Sequence, residues 1–457
     1  MATATTETQV ILRALAANPE IQATSLDVKR DSLGVASLET RWLPHLSLEA
    51  QQRYLPYDSS ALLGTRTRRL GSTGDASIIQ YLPGGGTVAA GLNLGYSKDL
   101  RARTWDYTTD LQAGITQPLL SGAWNHGALQ DTLKLRRFDQ AQFTLEQRKR
   151  VLSAVSRIRD QYWRAVEQAH LESIYGRELE YAETMLDRDR NRFRGGNASE
   201  LDTLTSSLER LQALESKLAA STRARLARNS LAVSLELPLD SIAVDTTLVI
   251  ALVAPPAAEI ILSSAERFDP ELGIFKTLKE RLQTEESRLK NQLLPRLDLG
   301  VVHSSAGVSG RGFFDNQAPL EANTILSLTL SYTIPMAETF LERKRASLAM
   351  KSTAVNEGGY RSGLRDRIED LRSNWNQELE QLEVAEASKR VAYKKLQATQ
   401  AGYRDGRLDR LTLQKAENEY LVSSVTLVQR QIGLKRLEVA LDGIIGRFSG
   451  NMEIVWQ

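Results

Sequence analysis

The chain has 457 residues, of which 42% are hydrophobic and 25% are charged, and its formal net charge is +2. These values are typical of a folded protein, and the small net charge gives no electrostatic case for binding nucleic acid. The absence of cysteine excludes disulfides, thiolate metal sites and a cysteine nucleophile. No apolar run reaches the roughly 18 residues that a membrane-spanning helix needs. The N-terminal residues MATATTETQ lack the basic region and apolar core of a signal peptide, which an exported protein needs.

The second half of the sequence repeats the plan of the first half. The matched pairs are Asn18-Pro19-Glu20-Ile21 with Asp269-Pro270-Glu271-Leu272, Leu43–Leu48 with Leu294–Leu299, Gln117-Pro118-Leu119 with Ile334-Pro335-Met336, Phe193–Gly196 with Tyr403–Gly406, and Leu231–Pro238 with Leu437–Gly446. One match alone is weak, but five in the same order indicate a tandem duplication. We therefore predict a first repeat at 1–237, a linker at 238–260 and a second repeat at 261–457.

Each predicted repeat begins with a helix, at 7–43 and at 270–294, and continues with strands, at about 45–117 and at 296–334. The clearest strand signal lies in the second repeat, where apolar and polar residues alternate over nine positions. The apolar residues are Leu326, Leu328, Leu330, Tyr332 and Ile334, and the polar residues between them are Ser327, Thr329, Ser331 and Thr333. Nine residues are the length of a tilted strand in a membrane β-barrel.

The first strand region is longer than the second. It extends from Pro44 to Pro118, whereas the second extends only from Pro295 to Pro335. The added sequence includes the turn signal Tyr81–Gly86 and an alternating apolar run from Val88 to Tyr96. These features predict an additional hairpin and leave open the number of strands in each chain.

Two long helices complete each repeat, at 121–194 and 198–237 and then at 337–404 and 408–446. The proline-free segment from Ser121 to Arg194 would form a helix about 110 Å long. Apolar residues recur along these segments at the alternating four- and three-residue steps of a coiled coil. They are Val151, Val155, Ile158, Tyr162, Ala165 and Ala169 on one helix, and Leu201, Leu204, Leu208, Leu211 and Leu218 on the next.

The strand pairs constrain how the chain assembles. A strand pair has exposed edges and cannot cross lipid alone, and four strands are fewer than the usual minimum of about eight for a closed barrel. We therefore predict a mainly α protein with membrane β. Duplicated long helical hairpins would form a trimeric α-barrel, and strand pairs from three chains would form a shared transmembrane β-barrel.

The order of these motifs resembles that of the TolC-like outer-membrane factor family over nearly the whole chain. The segments that carry the resemblance are Ala14–Ile21, Leu43–Leu46, Thr116–Leu120, Asp160–Trp163 and Phe193–Gly196. The resemblance implies a homotrimer in outer-membrane lipid, with twelve barrel strands and a long periplasmic portion, in a Gram-negative-type cell. It implies a passive exit duct of a tripartite efflux pump or type I secretion system, with a periplasmic adaptor and an inner-membrane pump as partners.

The predicted functional residues lie in and next to the turns between the long helices. Adaptor docking is expected at Gly195, Gly196, Asn197, Gly406, Arg407 and Leu408. A charged pore constriction is expected at Glu200, Asp202, Asp409 and Arg410. The family often has an aspartate pair on the last helix, but the matching positions here are Thr412 and Lys415. A cation-binding aspartate ring is therefore not expected.

The sequence gives little support for an enzyme. The histidines His45, His126, His170 and His303 are scattered and match no metal-ligand spacing, and Gly84–Gly86 lacks the lysine of a phosphate-binding loop. We expect no catalytic residues, no metal, no cofactor and no nucleic-acid partner. Two alternatives remain: a structural coiled-coil protein without a pore, and a periplasmic adaptor of an export machine.

Overall fold

The structure is a computed structural model that describes residues 5–58, 67–99, 105–196, 198–246, 254–315, 321–332 and 337–447. The helices are α1 (Glu7–Ala17), α2 (Pro19–Glu39), α3 (Ala128–Arg194), α4 (Glu200–Ser234), α5 (Ala258–Phe268), α6 (Pro270–Gln292), α7 (Glu338–Arg404) and α8 (Arg410–Ile445). The strands are β1 (His45–Asp58), β2 (Thr67–Tyr81), β3 (Thr87–Asp99), β4 (Trp105–Pro118), β5 (Arg296–Ser309) and β6 (Glu321–Ser331). Asn197, Thr333, Ile334, Pro335 and Met336 lie outside the described residues. Among the described helices, none is both long enough and apolar enough to cross a membrane.

The long helices occur as two pairs of matching length. Helices α3 and α7 each have 67 residues, and α4 and α8 have 35 and 36. Three of the four begin and end within about three residues of the predicted bounds. Helix α3 begins later than predicted because the chain turns first, with Gly122 and Trp124 both at positive φ. The division of the chain into two repeats with a linker remains a prediction.

The predicted helix at 7–43 is divided in the structure, because α1 ends at Ala17 and α2 begins at Pro19. Asn18 is extended, and its side-chain Oδ1 accepts hydrogen bonds from the N–H groups of Glu20 and Ile21, at 3.0 and 3.3 Å. Proline has no N–H to continue the preceding helix and is well suited to a first helical position. Asp269 and Pro270 form the same junction, where Asp269 Oδ1 accepts from Glu271 N at 2.9 Å. Helix α5, which precedes this junction, was not predicted.

The six strands form one antiparallel sheet in the order β1-β2-β3-β4-β5-β6. Strand β4 pairs directly with β5, so the strands of both predicted repeats belong to the same sheet. The added segment of the first strand region forms β2 and β3, which confirms the predicted additional hairpin and gives six described strands. Among these strands, β1 and β6 are the edges.

The sheet has one apolar face and one polar face. Successive side chains of a strand point to opposite faces of the sheet. The strand register places apolar residues beside apolar residues on one face and polar residues beside polar residues on the other. One row contains Leu48, Ala76, Leu92 and Leu111, and the neighbouring row contains Ser47, Ser77, Gly91, Gln112 and Ser304. We define the apolar face by Leu46, Leu48, Ile78, Val88, Leu92, Leu94, Leu111, Ile115, Leu299, Val301, Leu326, Leu328 and Leu330.

The described residues divide into two compact units, one within 1–28, 144–274 and 357–457, and the other within 29–143 and 275–356. The first unit, here called the helical unit, contains the hairpin turns. The second, the sheet unit, contains the six strands. In the core of the helical unit, the predicted α3 positions Val151, Val155, Ile158, Tyr162 and Ala165 are all buried. Buried Arg159 contacts Glu7 at 2.6 Å and Asp442 at 2.7 Å, which links α1, α3 and α8.

Helix α4 leaves its predicted leucine seam uncovered in the single chain. Leu201, Leu204, Leu208, Leu211 and Leu218 have exposed fractions between 54% and 71%. Beside these leucines, α4 buries the small residues Ser206, Ala213, Ala220 and Ala224, and its one large buried side chain, Leu231, lies in the last turn. The helix therefore packs a small-residue face on its own chain and leaves its large apolar face uncovered, which is the reverse of the usual arrangement in a soluble monomer.

Candidate channel site at the helical hairpin turns

The turn between α7 and α8 is a complete Schellman motif. Gly406 has φ +72°, its N–H donates to the carbonyl of Tyr403 at 3.1 Å, and the N–H of Arg407 donates to the carbonyl of Gly402 at 2.8 Å. Glycine enters this left-handed conformation without steric cost, which explains its position one residue beyond the C-cap. Asp409 then caps α8, since its side chain accepts from Thr412 N at 2.9 Å.

The turn between α3 and α4 follows the same plan. Gly196 has φ +75°, and its N–H donates to the carbonyl of Phe193 at 2.9 Å. Ser199 caps α4 in a capping box, in which Ser199 Oγ accepts from Asp202 N and Asp202 Oδ2 accepts from Ser199 N. In both turns the N-cap residue follows the left-handed glycine by three residues.

The predicted docking residues within the described structure are exposed. Gly195, Gly196, Gly406 and Arg407 are on the surface, and Leu408 is also exposed although it packs beside Gly402. A β-carbon on Gly402 would come within 2.7 Å of Leu408 Cδ1, so glycine at this position makes room for that leucine. Asn197, the remaining predicted docking residue, lies outside the described residues.

Three of the four predicted constriction residues lie at the first turns of α4 and α8. Glu200 is exposed, and Asp202 and Asp409 belong to the caps. Hydrogen bonds from the backbone and the hydroxyl of Ser199 lower the pKa of Asp202. Hydrogen bonds from Thr412 lower the pKa of Asp409. Both carboxylates therefore stay ionised to a lower pH than ordinary aspartates, and each has a structural role in its turn.

The fourth residue, Arg410, lies inside the helical unit. Its side chain is only 7% exposed, contacts Glu209 through Nη2, and contacts Glu417 through Nη1 at 3.3 Å. The sequence interpretation placed Arg410 in a pore lining because it is one of four charged residues about one turn beyond the glycine turns. One residue of advance along a helix rotates the side chain by about 100°, which is enough to turn it into the interior.

Arg410 belongs to a buried polar cluster that connects all four long helices. Asp189 on α3 is fully buried and accepts hydrogen bonds from Ser206 Oγ on α4 and from Tyr403 Oη on α7. Tyr181 Oη donates to Glu417 on α8 at 2.7 Å. We define the tip cluster as Tyr181, Asp189, Ser206, Glu209, Tyr403, Arg410 and Glu417.

Burial shifts the ionisation of the tip cluster. Desolvation raises the pKa of Glu209 and of Glu417 above the ordinary glutamate value, although Arg410 opposes the shift in both. Burial and the hydrogen bond to Asp189 raise the pKa of Tyr403 to about 12. The cluster places three carboxyl groups around one guanidinium, so part of its negative charge is uncompensated when all of them ionise.

The sequence interpretation missed every member of the tip cluster except Arg410. Asp189, Glu209 and Glu417 each lie in a helical segment rich in charged residues, and only tertiary packing distinguishes them from the solvated residues beside them. Within the part of the chain that the structure describes, no three or more His, Asp or Glu side chains are arranged so that they could hold a metal ion.

No sequence profile of a known protein family matches the chain, and no curated protein matches it. Several solved structures, however, are similar to the chain. The outer-membrane protein VceC of Vibrio cholerae matches with a TM-score of 0.68 and 12% identity, covering 97% of each chain. The open state of the Neisseria gonorrhoeae MtrE outer-membrane channel matches with a TM-score of 0.67 and 14% identity, covering 97% of this chain and 89% of that one. The chain has the fold of outer-membrane channels. The Campylobacter jejuni CmeC outer-membrane channel agrees, with a TM-score of 0.64 and 12% identity over 97% of this chain and 87% of that one.

Proposed function

We propose that the chain is a protomer of an outer-membrane channel, the passive exit duct of a tripartite efflux pump or type I secretion system. Three copies share one transmembrane β-barrel, and their long helices form the periplasmic α-barrel. The fold of outer-membrane channels supports this proposal at the level of architecture. The proposal includes outer-membrane lipid around the sheet and a periplasmic adaptor and an inner-membrane pump as partners.

The sheet carries the proposal. Its apolar face includes Leu48, Leu326 and Leu328, which are largely exposed in the single chain. Its polar face and its two open edges would be unfavourable in lipid unless other copies complete the wall and enclose the polar side. A structural coiled coil needs no such sheet, so the two-faced sheet favours the channel over the scaffold.

The leucine seam of α4 supports self-assembly. A row of large apolar side chains at coiled-coil spacing, uncovered by its own chain, fits a neighbouring long helix. A second copy of the same chain supplies long helices of equal length at the same level of the assembly. We therefore assign the α4 seam to the contact between protomers.

The hairpin turns are the proposed docking site for the adaptor. The side chain of Arg407 is 75% exposed there, and it pairs with the neighbouring Asp405. Each turn has a left-handed glycine followed by a capped helix, so its described residues are held in place by backbone hydrogen bonds. A preorganised surface loses little entropy on binding.

The proposal is tested with purified protein in mild detergent. The mass of the protein component, measured by light scattering, should be three times that of one chain. After reconstitution into planar bilayers, the protein should conduct ions. A monomer with a native circular dichroism spectrum that binds no detergent at the sheet would instead support the scaffold.

The proposed constriction is tested separately at Asp202 and Asp409. Because the side chains of both residues accept backbone hydrogen bonds in the helix caps, the double substitution to Ala removes the charges and these bonds together. The double substitution to Asn removes the charges and keeps an oxygen acceptor at each position. If these charges hold the resting channel closed, both double variants should raise the resting conductance and leave the trimer intact. If only the Ala variant conducts more, the caps close the channel, and if neither does, the constriction lies elsewhere.

A further inference from the structure

The hairpin β2–β3 is a regular part of the sheet. Its two strands pair over thirteen residue positions, from Tyr81 with Thr87 to Arg69 with Asp99, with no irregularity between. β2 also pairs with β1, and β3 also pairs with β4. The hairpin therefore lies within the sheet between its neighbours, whereas the resemblance implied four strands from each chain.

The turn of this hairpin is fixed to the segment that leads from β4 into α3. The carbonyl of Gly84 accepts hydrogen bonds from Trp124 N at 2.9 Å and from Gln117 Nε2 at 2.8 Å. Gly85 has φ +82°, and a β-carbon there would lie 2.2 Å from the carbonyl oxygen of Gly122. Only glycine fits this contact, so the turn is built to pack at the base of the sheet.

The hairpin continues both faces of the sheet. Ile78 on β2 and Leu92 and Leu94 on β3 belong to the apolar face, and no charged side chain interrupts that face from Val88 to Leu94. Ser77, Asp75 and Asn93 belong to the polar face. A hairpin with both faces in water does not need the apolar and polar residues to alternate in phase with those of the neighbouring strands.

Aromatic side chains lie at both ends of the hairpin. At the end away from the turn, Tyr96 lies 5.8 Å from Trp105, and Trp105 stacks on Tyr107 at 6.3 Å, measured between ring centroids. Lys98 Nζ lies 4.5 Å above the ring of Trp105. At the other end, exposed Trp124 is hydrogen-bonded to the turn. Membrane barrels have such aromatic girdles on both sides of an apolar band about 25 Å tall. Strand β3 has 13 residues and rises about 40 Å along its axis, which is enough to cross that band at the usual tilt of about 35–45°.

We propose that the β2–β3 hairpin spans the membrane, with its apolar face on the hydrocarbon of the bilayer, so that each protomer contributes six strands to the channel wall. This inference rests on the proposed function, since the wall is that of the shared barrel. Three protomers would close a barrel of about eighteen strands, and because barrel diameter grows roughly linearly with strand number, the lumen would be roughly half again as wide as that of twelve strands. The channel would then admit solutes of larger cross-section than a twelve-stranded one.

The absence of cysteine makes the test direct, because one introduced cysteine gives one labelling site. Ile78→Cys and Ser77→Cys probe adjacent positions on the two faces of β2, and Leu326→Cys and Ser327→Cys provide the matched pair on β6. Each variant is labelled with a small fluorophore and reconstituted into lipid vesicles. Quenching is measured with a lipid-attached nitroxide and with aqueous iodide.

We expect the probes at 78 and 326 to be quenched by the nitroxide and those at 77 and 327 by iodide, with at least a severalfold preference in each. If the β6 pair alternates and both β2 probes are reached mainly by iodide, the hairpin lies outside the bilayer and the inference is wrong while the channel stands. If neither pair alternates, the sheet does not enter the membrane, and the proposed function fails with it.

Discussion

At the scale of single residues, the structure gives different environments to two arginines that lie three positions apart in the sequence. Arg407 is exposed at the turn, whereas Arg410 is buried between Glu209 and Glu417. Both follow the same glycine, Gly406, within one turn of helix. Their different environments predict opposite sensitivities to substitution, because a buried ion pair that loses one partner leaves an uncompensated charge in the interior.

Arg410→Met should therefore destabilise the helical unit by about 3–5 kcal/mol, since it leaves the carboxylates of Glu209 and Glu417 buried without their cation. Arg407→Met, at an exposed position, should change stability by less than about 1 kcal/mol. Chemical denaturation followed by circular dichroism measures both. Equal effects of the two substitutions would contradict the assignment of Arg410 to the tip cluster.

The pH dependence of the tip cluster has a defined sign. Burial raises the folded-state pKa of Glu417, so between its unfolded and folded pKa values the folded state holds more protons than the unfolded state. Stability then falls as pH rises through that window, and reaches its plateau above the folded pKa. The capping residues Asp202 and Asp409 act in the opposite sense, because their folded pKa values are lowered and their contribution is lost only as pH falls below about 4.

Glu417→Gln tests this sign, because glutamine keeps the acceptor for Tyr181 and cannot ionise. As pH rises from 4.5, the melting temperature of the wild type should fall relative to that of the variant. Glu419→Gln is the matched control, since Glu419 is exposed and pairs with Lys395 at the surface. A constant difference between wild type and Glu417→Gln across this range would show that burial does not govern the ionisation of Glu417.

At the scale of elements, local sequence determines much of what was predicted. The long helices are free of proline, and their ends coincide with Gly196 and Gly406, so their bounds follow from backbone chemistry alone. The alternation of Leu326 to Ser331 likewise predicts β6 without tertiary information. The position of Arg410 could not be predicted in this way, because the contact that holds its side chain in the interior, with Glu209, joins residues 201 positions apart. The leucines of α4 were predicted to form a coiled-coil seam. The sequence pattern does not determine whether that seam is covered by the same chain or by another chain.

The two faces of β6 give the sharpest prediction at this scale. Leu328 lies on the apolar face and Ser327 on the polar face, at neighbouring positions of one strand. Leu328→Arg should cost about 2–4 kcal/mol if the apolar face meets the middle of the bilayer, whereas Ser327→Arg, facing the lumen, should cost far less. Folding titrations into lipid vesicles measure the difference. Equal costs, or a larger cost at Ser327, would reverse the assignment of the faces.

At the scale of the whole molecule, two kinds of surface remain unpaired in the single chain, and association with further copies could cover both. The sheet has open edges at β1 and β6, and α4 has an uncovered leucine seam. Edge strands and apolar seams are both favourable places for association, and a closed ring of identical chains satisfies every copy equally. The sheet unit and the helical unit, each considered by itself, therefore support the proposed self-assembly.

The α4 seam provides the test of this assembly. Leu208 is at the middle of the seam and 57% exposed in the single chain. Burying a leucine stabilises a contact by about 1.5–3 kcal/mol, and a closed ring of three protomers contains the contact three times. Leu208→Glu replaces that gain with the cost of desolvating a charge, so the variant should run as a monomer in mild detergent at concentrations where the wild type is a trimer. Gln212→Glu adds the same charge at an exposed polar position one turn further along α4, where no apolar side chain is lost, and should weaken the trimer far less. Because Leu208 makes no part of the buried face of α4, the circular dichroism of the dissociated variant should stay helical. A trimer of unchanged stability in Leu208→Glu would show that α4 faces solvent in the assembly and that another surface joins the protomers.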